Sequence, residues 1–199
     1  MKEKFVNSSI NFINKYQECD DLKIKRLKYG LQGVYSLLIK LTIVIIIAIL
    51  TKTLKQTILF LIFYAGIRTF SYGWHAKSNI GCWITTILIY NIIPLLINNY
   101  NIPTYIGYTV LLISIISMIL WAPADTPKKP LIRKKDRDKC KKLSIIIIII
   151  YSLLFSFNIK LINNSLIYAL IVQNILINPL TYKLTKTQFN NYKYYKKKN

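Results

Sequence analysis

The sequence predicts an all-α, polytopic membrane protein with six transmembrane helices and cytoplasmic N- and C-termini. Hydrophobic residues make up 53% of the 199 positions and are gathered into long runs, and a run of about 20 apolar residues spans a bilayer as a helix. Lys and Arg number 28 against 7 Asp and Glu, a formal charge of +21, yet these charges sit between the runs. Most of them fall in the two tails and the even-numbered inter-run segments, as positive-inside sidedness requires. Six spans use roughly 120 residues, leaving short loops and two tails with no room for a sizeable soluble domain. The clustered apolar residues exclude a disordered basic chain. Three cysteines are too sparse for a disulfide scaffold. Nucleic-acid binding fails because the cations follow membrane sidedness and do not form one soluble basic face.

The spans follow in order. The first lies near 34–51 and contains LLIKLTIVIIIAIL; the second is near 56–67; the third runs over 80–97; the fourth over 105–121; the fifth begins at Leu143 and carries six consecutive isoleucines from Ile145 to Ile150; the sixth runs over 166–180. The first 30 residues are polar and basic, unlike a cleavable signal peptide. Within them Val6, Ile10 and Ile13 recur at helical spacing, which suits an interfacial amphipathic helix as well as a frayed tail. Tails and even-numbered loops hold 24 of the 28 cations, and the opposite side holds three. Lys40 is the remaining one, inside the first span, where it is expected to snorkel to the interface. The chain therefore divides into a cytoplasmic segment 1–30, a six-helix core 31–180 with a basic loop 123–142, and a basic tail 181–199, all one integral-membrane domain.

Few residues can carry chemistry. No predicted span contains Asp or Glu, which argues against a pump relaying charge through buried carboxylates. His75 is the only histidine, and with Cys19, Cys82 and Cys140 it makes no usual zinc set. No metal or other cofactor is expected, and no Walker-type phosphate loop is present. The segment 66–83, GIRTFSYGWHAKSNIGCW, stands apart: the histidine precedes Cys82 by seven residues at the inner mouth of the third span. A thiolate is a strong nucleophile and an imidazole can hold its proton. In one continuous helix seven residues rise about 10.5 Å, too far for a hydrogen bond. A dyad needs the chain to turn, and Gly73, Ser78-Asn79 and Gly81 offer breaks. Chance proximity of a juxtamembrane His to a membrane Cys is the alternative, with Trp74 and Trp83 as interface anchors.

At these residues the sequence resembles the accessory gene regulator B (AgrB) family of Gram-positive quorum sensing. The likeness lies in Arg68, Gly73, His75-Ala76-Lys77 and Cys82, in residues 122–130 (APADTPKKP), and more weakly in Gln32 within YGLQG. Size, six spans and basic tails agree over nearly the whole chain. One departure is that Ser71-Tyr72 precedes Gly73 where many members carry a glycine pair. The resemblance implies a membrane-embedded cysteine endopeptidase, a hydrolase, acting on an AgrD-like precursor peptide at the cytoplasmic face. By carry-over Cys82 is the nucleophile and His75 the general base and later acid. A Cys82 thioester would then be attacked by the precursor's own cysteine to release a cyclic thiolactone.

The other residues are assigned around that pair. Arg68 could steady an oxyanion or clamp a substrate carboxylate, or anchor to a headgroup. Gln32 could supply an amide donor to the oxyanion. Lys128 and Lys129 are expected to hold the precursor's acidic tail, although positive-inside topology alone explains most charges of that loop. Asp125 could orient His75 as a triad's third member does, or shape the Pro-rich turn. Cys19 and Cys140 are expected to be reduced bystanders. Membrane lipid is a partner, and a homodimer is compatible with these spans without being fixed by them. A peptide exporter or permease, and a non-catalytic membrane scaffold, remain as alternative functions that need no His/Cys pair.

Overall fold

The computed structural model describes residues 2–17, 20–127 and 130–194. It is all-helical, with no strand among the described residues. The helices are α1 (Lys2–Tyr16), α2 (Asp21–Leu50), α3 (Leu54–Ser71), α4 (Asn79–Asn99), α5 (Thr104–Trp121), α6 (Lys134–Ser156), α7 (Lys160–Ile177) and α8 (Pro179–Leu184), followed by a short 3-10 turn, Asn191–Lys193. Each expected span corresponds to one of α2 to α7. Among the described residues, α2, α4, α5 and α7 are long and apolar enough by themselves to cross a membrane.

Helix boundaries differ from the apolar runs where capping decides them. Helix α2 begins at Asp21, well before the run at 34, because Asp20 accepts a hydrogen bond from Lys23 N at 3.0 Å and so caps the basic stretch. Helix α6 also starts in the basic stretch, at Lys134, although no side chain caps its first turn. The sixth run was expected to reach Leu180, but α7 stops at Ile177. Pro179 has no N–H to continue that helix, and Asn178 caps α8 instead, accepting from Leu180 N at 2.9 Å.

Helix α7 is the hub of the bundle. More than half of it is buried, and it packs on α3, α4, α5 and α6. Its polar residues tie down the loops at one end: Asn163 Nδ2 donates to Phe155 O at 3.0 Å, and Asn164 bonds Ile102 N at 3.2 Å and Tyr100 O at 3.3 Å. Helix α3 sits against α2, α4, α6 and α7. Its Gly66 lets Tyr151 of α6 approach, and that hydroxyl donates to Phe63 O at 2.7 Å. The amphipathic reading of the N-terminus gives helix α1, which packs on α2 with Val6 buried and Phe5 5.5 Å from the Tyr35 ring.

Close helix contact through small residues is the rule where lipid supplies no hydrophobic drive. At Gly107 a Cβ would stand 2.2 Å from a carbon of the Phe155 ring across the α5–α6 interface. Gly107→Ala is therefore expected to lower stability by about 1–3 kcal/mol through overpacking. Thermal unfolding of the purified protein in detergent checks this; an unchanged midpoint would contradict the packing.

Candidate functional site

The site forms where α3 ends. Helix α3 stops at Ser71 and α4 starts at Asn79, so residues 72–78 make the turn that the sequence required between His75 and Cys82. Ser78 is the N-cap of α4: its side chain accepts from Gly81 N at 2.9 Å, and its carbonyl accepts from Cys82 N at 3.1 Å. Cys82 thus lies in the first turn of α4, where unpaired amides make the local potential positive. Exposed His75 and half-buried Cys82 line the same two adjoining cavities, of about 790 and 250 Å³.

Arg68 holds the turn. Its Nη1 donates to Tyr72 O at 2.8 Å, and its Nη2 donates to Gly73 O at 3.1 Å and Trp74 O at 2.6 Å. Both terminal nitrogens are committed to loop carbonyls, so the geometry favours a loop-holding role over the expected oxyanion or carboxylate contact. Gly73 takes φ +123°, and a Cβ there would meet Arg68 Nη1 at 2.2 Å and Leu176 O at 3.0 Å. Gln173 of α7 adds bonds from Nε2 to Ser71 Oγ (2.5 Å) and Tyr72 O (2.7 Å), and Trp74 N donates to Leu176 O at 2.7 Å. Tyr72 itself sits at φ 57°, ψ −137°, a backbone state that glycine reaches freely and a bulky side chain reaches with strain. This is the position beside Gly73 where the sequence departs from a glycine pair.

The segment after α5 closes one wall. Ala124 N donates to Ser71 O at 2.9 Å, and Gly73 N donates to Ala124 O at 2.8 Å, making a single parallel bridge between the two loops. Tyr182 OH donates to the same Ala124 carbonyl at 3.0 Å. Burial pushes the Tyr182 phenol up, opposed by Arg68 and reinforced by Asp125, so it stays a proton donor. Asp125 is fully buried and accepts from Asn191 N (2.8 Å), Tyr192 N (3.0 Å) and Leu131 N (3.2 Å). Its carboxylate fastens the C-terminal segment to the loop, and these bonds lend no support to orientation of His75. Lys77 Nζ donates to Lys186 O at 2.7 Å, and a third cavity of about 170 Å³ lies between His75, Thr126, Pro127 and Thr187.

Other expectations resolve as follows. Gln32 is half-buried on α2, one position away from the stripe of Tyr29, Gly33, Ser36 and Lys40 that lines the larger cavity, and it does not line that cavity itself. Lys128, Lys129 and Cys19 lie outside the described residues. Cys140 is on α6 and lines neither cavity. Lys40, expected to snorkel, donates from Nζ to Cys82 Sγ at 3.3 Å and stands 5.3 Å from the Trp83 ring centre. A cation inside an apolar run was the sequence signal for it. Trp74, taken as an interface anchor, lines the smaller cavity with its Nε1 buried and without a hydrogen-bond partner.

The family model for accessory gene regulator B matches residues 6–181. The chain belongs to the accessory gene regulator B family. Among curated relatives, an AgrB-like protein of Listeria innocua is 30% identical over 171 residues, covering 85% of this chain and 84% of the relative. An AgrB-like protein of Clostridium acetobutylicum is 27% identical over 184 residues, covering 90% and 87%. Protein FsrB of Enterococcus faecalis is 28% identical over 176 residues, covering 87% and 72%. No solved structure matches this AgrB family member significantly.

Two substitutions test the architecture of the AgrB loop. Gly73→Ala should push the Arg68 guanidinium off its carbonyls and speed tryptic cleavage at Lys77, whereas Gly30→Ala, which has open space around it, should leave the digestion pattern unchanged. Asp125→Ala should free three backbone amides at a cost of about 1–3 kcal/mol and speed cleavage at Lys186, read by mass spectrometry of the released C-terminal fragment.

Proposed function

We propose that this AgrB family member is a membrane cysteine endopeptidase of quorum-sensing peptide processing. It removes the acidic C-terminal tail of an AgrD-like precursor at the cytoplasmic face and promotes thiolactone closure of the remaining core. The observation that carries this reading is the capped turn at 72–78, which brings the only histidine and Cys82 to the lining of common cavities. In this reading the chain crosses the membrane six times, α3 and α6 completing the set, with both termini cytoplasmic.

The chemistry follows from the groups present. His75 takes the Cys82 proton, and the thiolate attacks the carbonyl at the tail junction. The protonated imidazole then gives its proton to the leaving amine, and the tail departs with a Cys82 thioester left behind. The precursor's cysteine, deprotonated by His75, attacks that thioester, and Cys82 leaves as thiolate. Thioester-to-thioester exchange is close to energy-neutral, which a serine ester would not permit. The first step is uphill and is drawn forward by loss of the tail.

Cations suit an acidic tail. Lys134, Lys135, Lys139 and Lys142, with one carboxylate, Asp138, among them, line an open groove of about 820 Å³ along α6, and Lys128 and Lys129 follow Pro127, which borders His75 in the smallest of the three site cavities. In this reading Lys128 and Lys129 grip the tail, while the inner leaflet competes for the same charges. Export or scaffolding alone leaves the His75–Cys82 placement without a use.

Co-expression with the precursor peptide tests the reading, with tail release followed by gel and mass. Wild type should release the tail and yield a core lighter by one water than the linear peptide. Cys82→Ala and His75→Ala should release none, and Cys82→Ser at most a trace. Release that survives Cys82→Ala would end the cysteine mechanism and move the weight to transport.

A further inference from the structure

We propose that Lys40 is a catalytic residue of the cysteine site, the fixed cation that holds Cys82 as thiolate before attack and receives it again as leaving group. The geometry rests on one contact, Lys40 Nζ to Cys82 Sγ at 3.3 Å, made across 42 residues of sequence between α2 and α4. That distance is within hydrogen-bonding range of a sulfur acceptor, and the bond strengthens when the acceptor is ionised.

Lys40 is an expensive residue where it stands. It interrupts LLIKLTIVIII, and an uncompensated cation inside an apolar membrane run is costly. Snorkelling would relieve that cost by carrying the amine to the interface. The side chain reaches toward Cys82 and lies over the Trp83 ring, a favourable cation–π placement. Among the described residues the only salt bridge is Arg133 to Asp136, far along the chain on α6, so no carboxylate neutralises Lys40. The anion within its reach is the one Cys82 becomes. Arg68, the second cation of the cavity, has its terminal nitrogens committed to the carbonyls of residues 72–74. Among the described residues lining the two cavities, Lys40 is therefore the cation left to serve the sulfur.

The roles then separate. His75 moves protons, and Lys40 keeps its proton throughout. In the first step the S–C bond forms, the C–N bond breaks, and the imidazolium proton goes to the amine. In the second step the precursor thiolate forms a new S–C bond, the Cys82 S–C bond breaks, and the departing electron pair on Cys82 rests against the Lys40 ammonium. Neither step consumes an oxidant, a reductant or a further proton acceptor.

This inference rests on the cysteine chemistry proposed above, and the test keeps the two apart. In a background carrying Cys19→Ser and Cys140→Ser, membranes containing the full chain are treated with iodoacetamide at neutral pH, and modification of Cys82 is timed by mass. Lys40→Met should slow alkylation by about tenfold or more, because the thiolate fraction falls, while Lys40→Arg should stay within about threefold of wild type. Lys40→Gln keeps polarity without charge, carries the same expectation as Met, and guards against a variant that fails to assemble. Tail release from the co-expressed precursor should fall in step with alkylation across the series. Equal alkylation rates in wild type, Met and Gln variants would overturn the proposal. Slowed alkylation together with tail release that persists in Cys82→Ala would keep the Lys40–Cys82 coupling and remove only the peptidase reading.

Discussion

The site depends on one guanidinium. Arg68 closes α3 and turns back onto three successive carbonyls, those of Tyr72, Gly73 and Trp74. Those oxygens lie just past the helix end, where carbonyls lack intrahelical partners. Arginine's planar fork meets several of them at once, which a lysine's point charge cannot do with the same geometry. Gly73 is needed because the guanidinium occupies the space a Cβ would fill. Once the turn is fixed, Ser78 restarts the chain as α4, and His75 and Cys82 come to line shared cavities.

That local device is locked by distant segments. Ala124 bridges Ser71 and Gly73 from the loop after α5, Gln173 and Leu176 engage the turn from α7, and Tyr182 reaches Ala124 from α8. The buried Asp125 carboxylate then gathers Leu131, Asn191 and Tyr192 around the same loop. Its oxygens accept from three backbone amides of two separate segments, so it acts as a structural pin. Strain at Tyr72 is tolerated because bonds on both sides over-determine its backbone.

Much of this was legible in the sequence, and the reason varies by element. The membrane helices were readable because bilayer thickness makes length and apolarity sufficient signals. Their starts were not, since α2 and α6 extend through basic stretches that hydropathy does not mark, α2 from the Asp20 cap and α6 from Lys134 with no side-chain cap. His75 and Cys82 were readable because they are rare residues flanked by helix breakers. The assignments for Arg68 and Asp125 were drawn from side-chain chemistry alone, which does not reveal that backbone groups have already claimed them. Lys40 was the hardest: its contact with Cys82 spans two helices, and only its cost in an apolar run marked it. Four of the helices are identifiable as spans on their own composition, whereas α3 and α6 owe their character to charges at one or both ends.

The division between a wet histidine and a half-buried cysteine suits the proposed chemistry. A thioester can be resolved by the precursor thiol or by water, and water is present at 55 M scale in bulk but not in an apolar cleft. The smaller cavity is walled in good part by Leu37, Ile89, Leu176 and the rings of Tyr64, Tyr90 and Trp74, with Thr85 and Thr86 as further polar groups beside Lys40, Arg68 and the reacting pair. In the proposed mechanism, keeping Cys82 at that wall would disfavour hydrolysis of the acyl-enzyme and leave the tethered thiol as the near nucleophile, an advantage of proximity that needs no further contact. His75, exposed at the mouth, can exchange protons with solvent between the two steps. The price of such burial is a poorly solvated thiolate, and a cation at 3.3 Å from the sulfur offsets it where water cannot. On the proposed chemistry, the desolvation that would protect the thioester is what would call for Lys40, and the two features belong to one constraint.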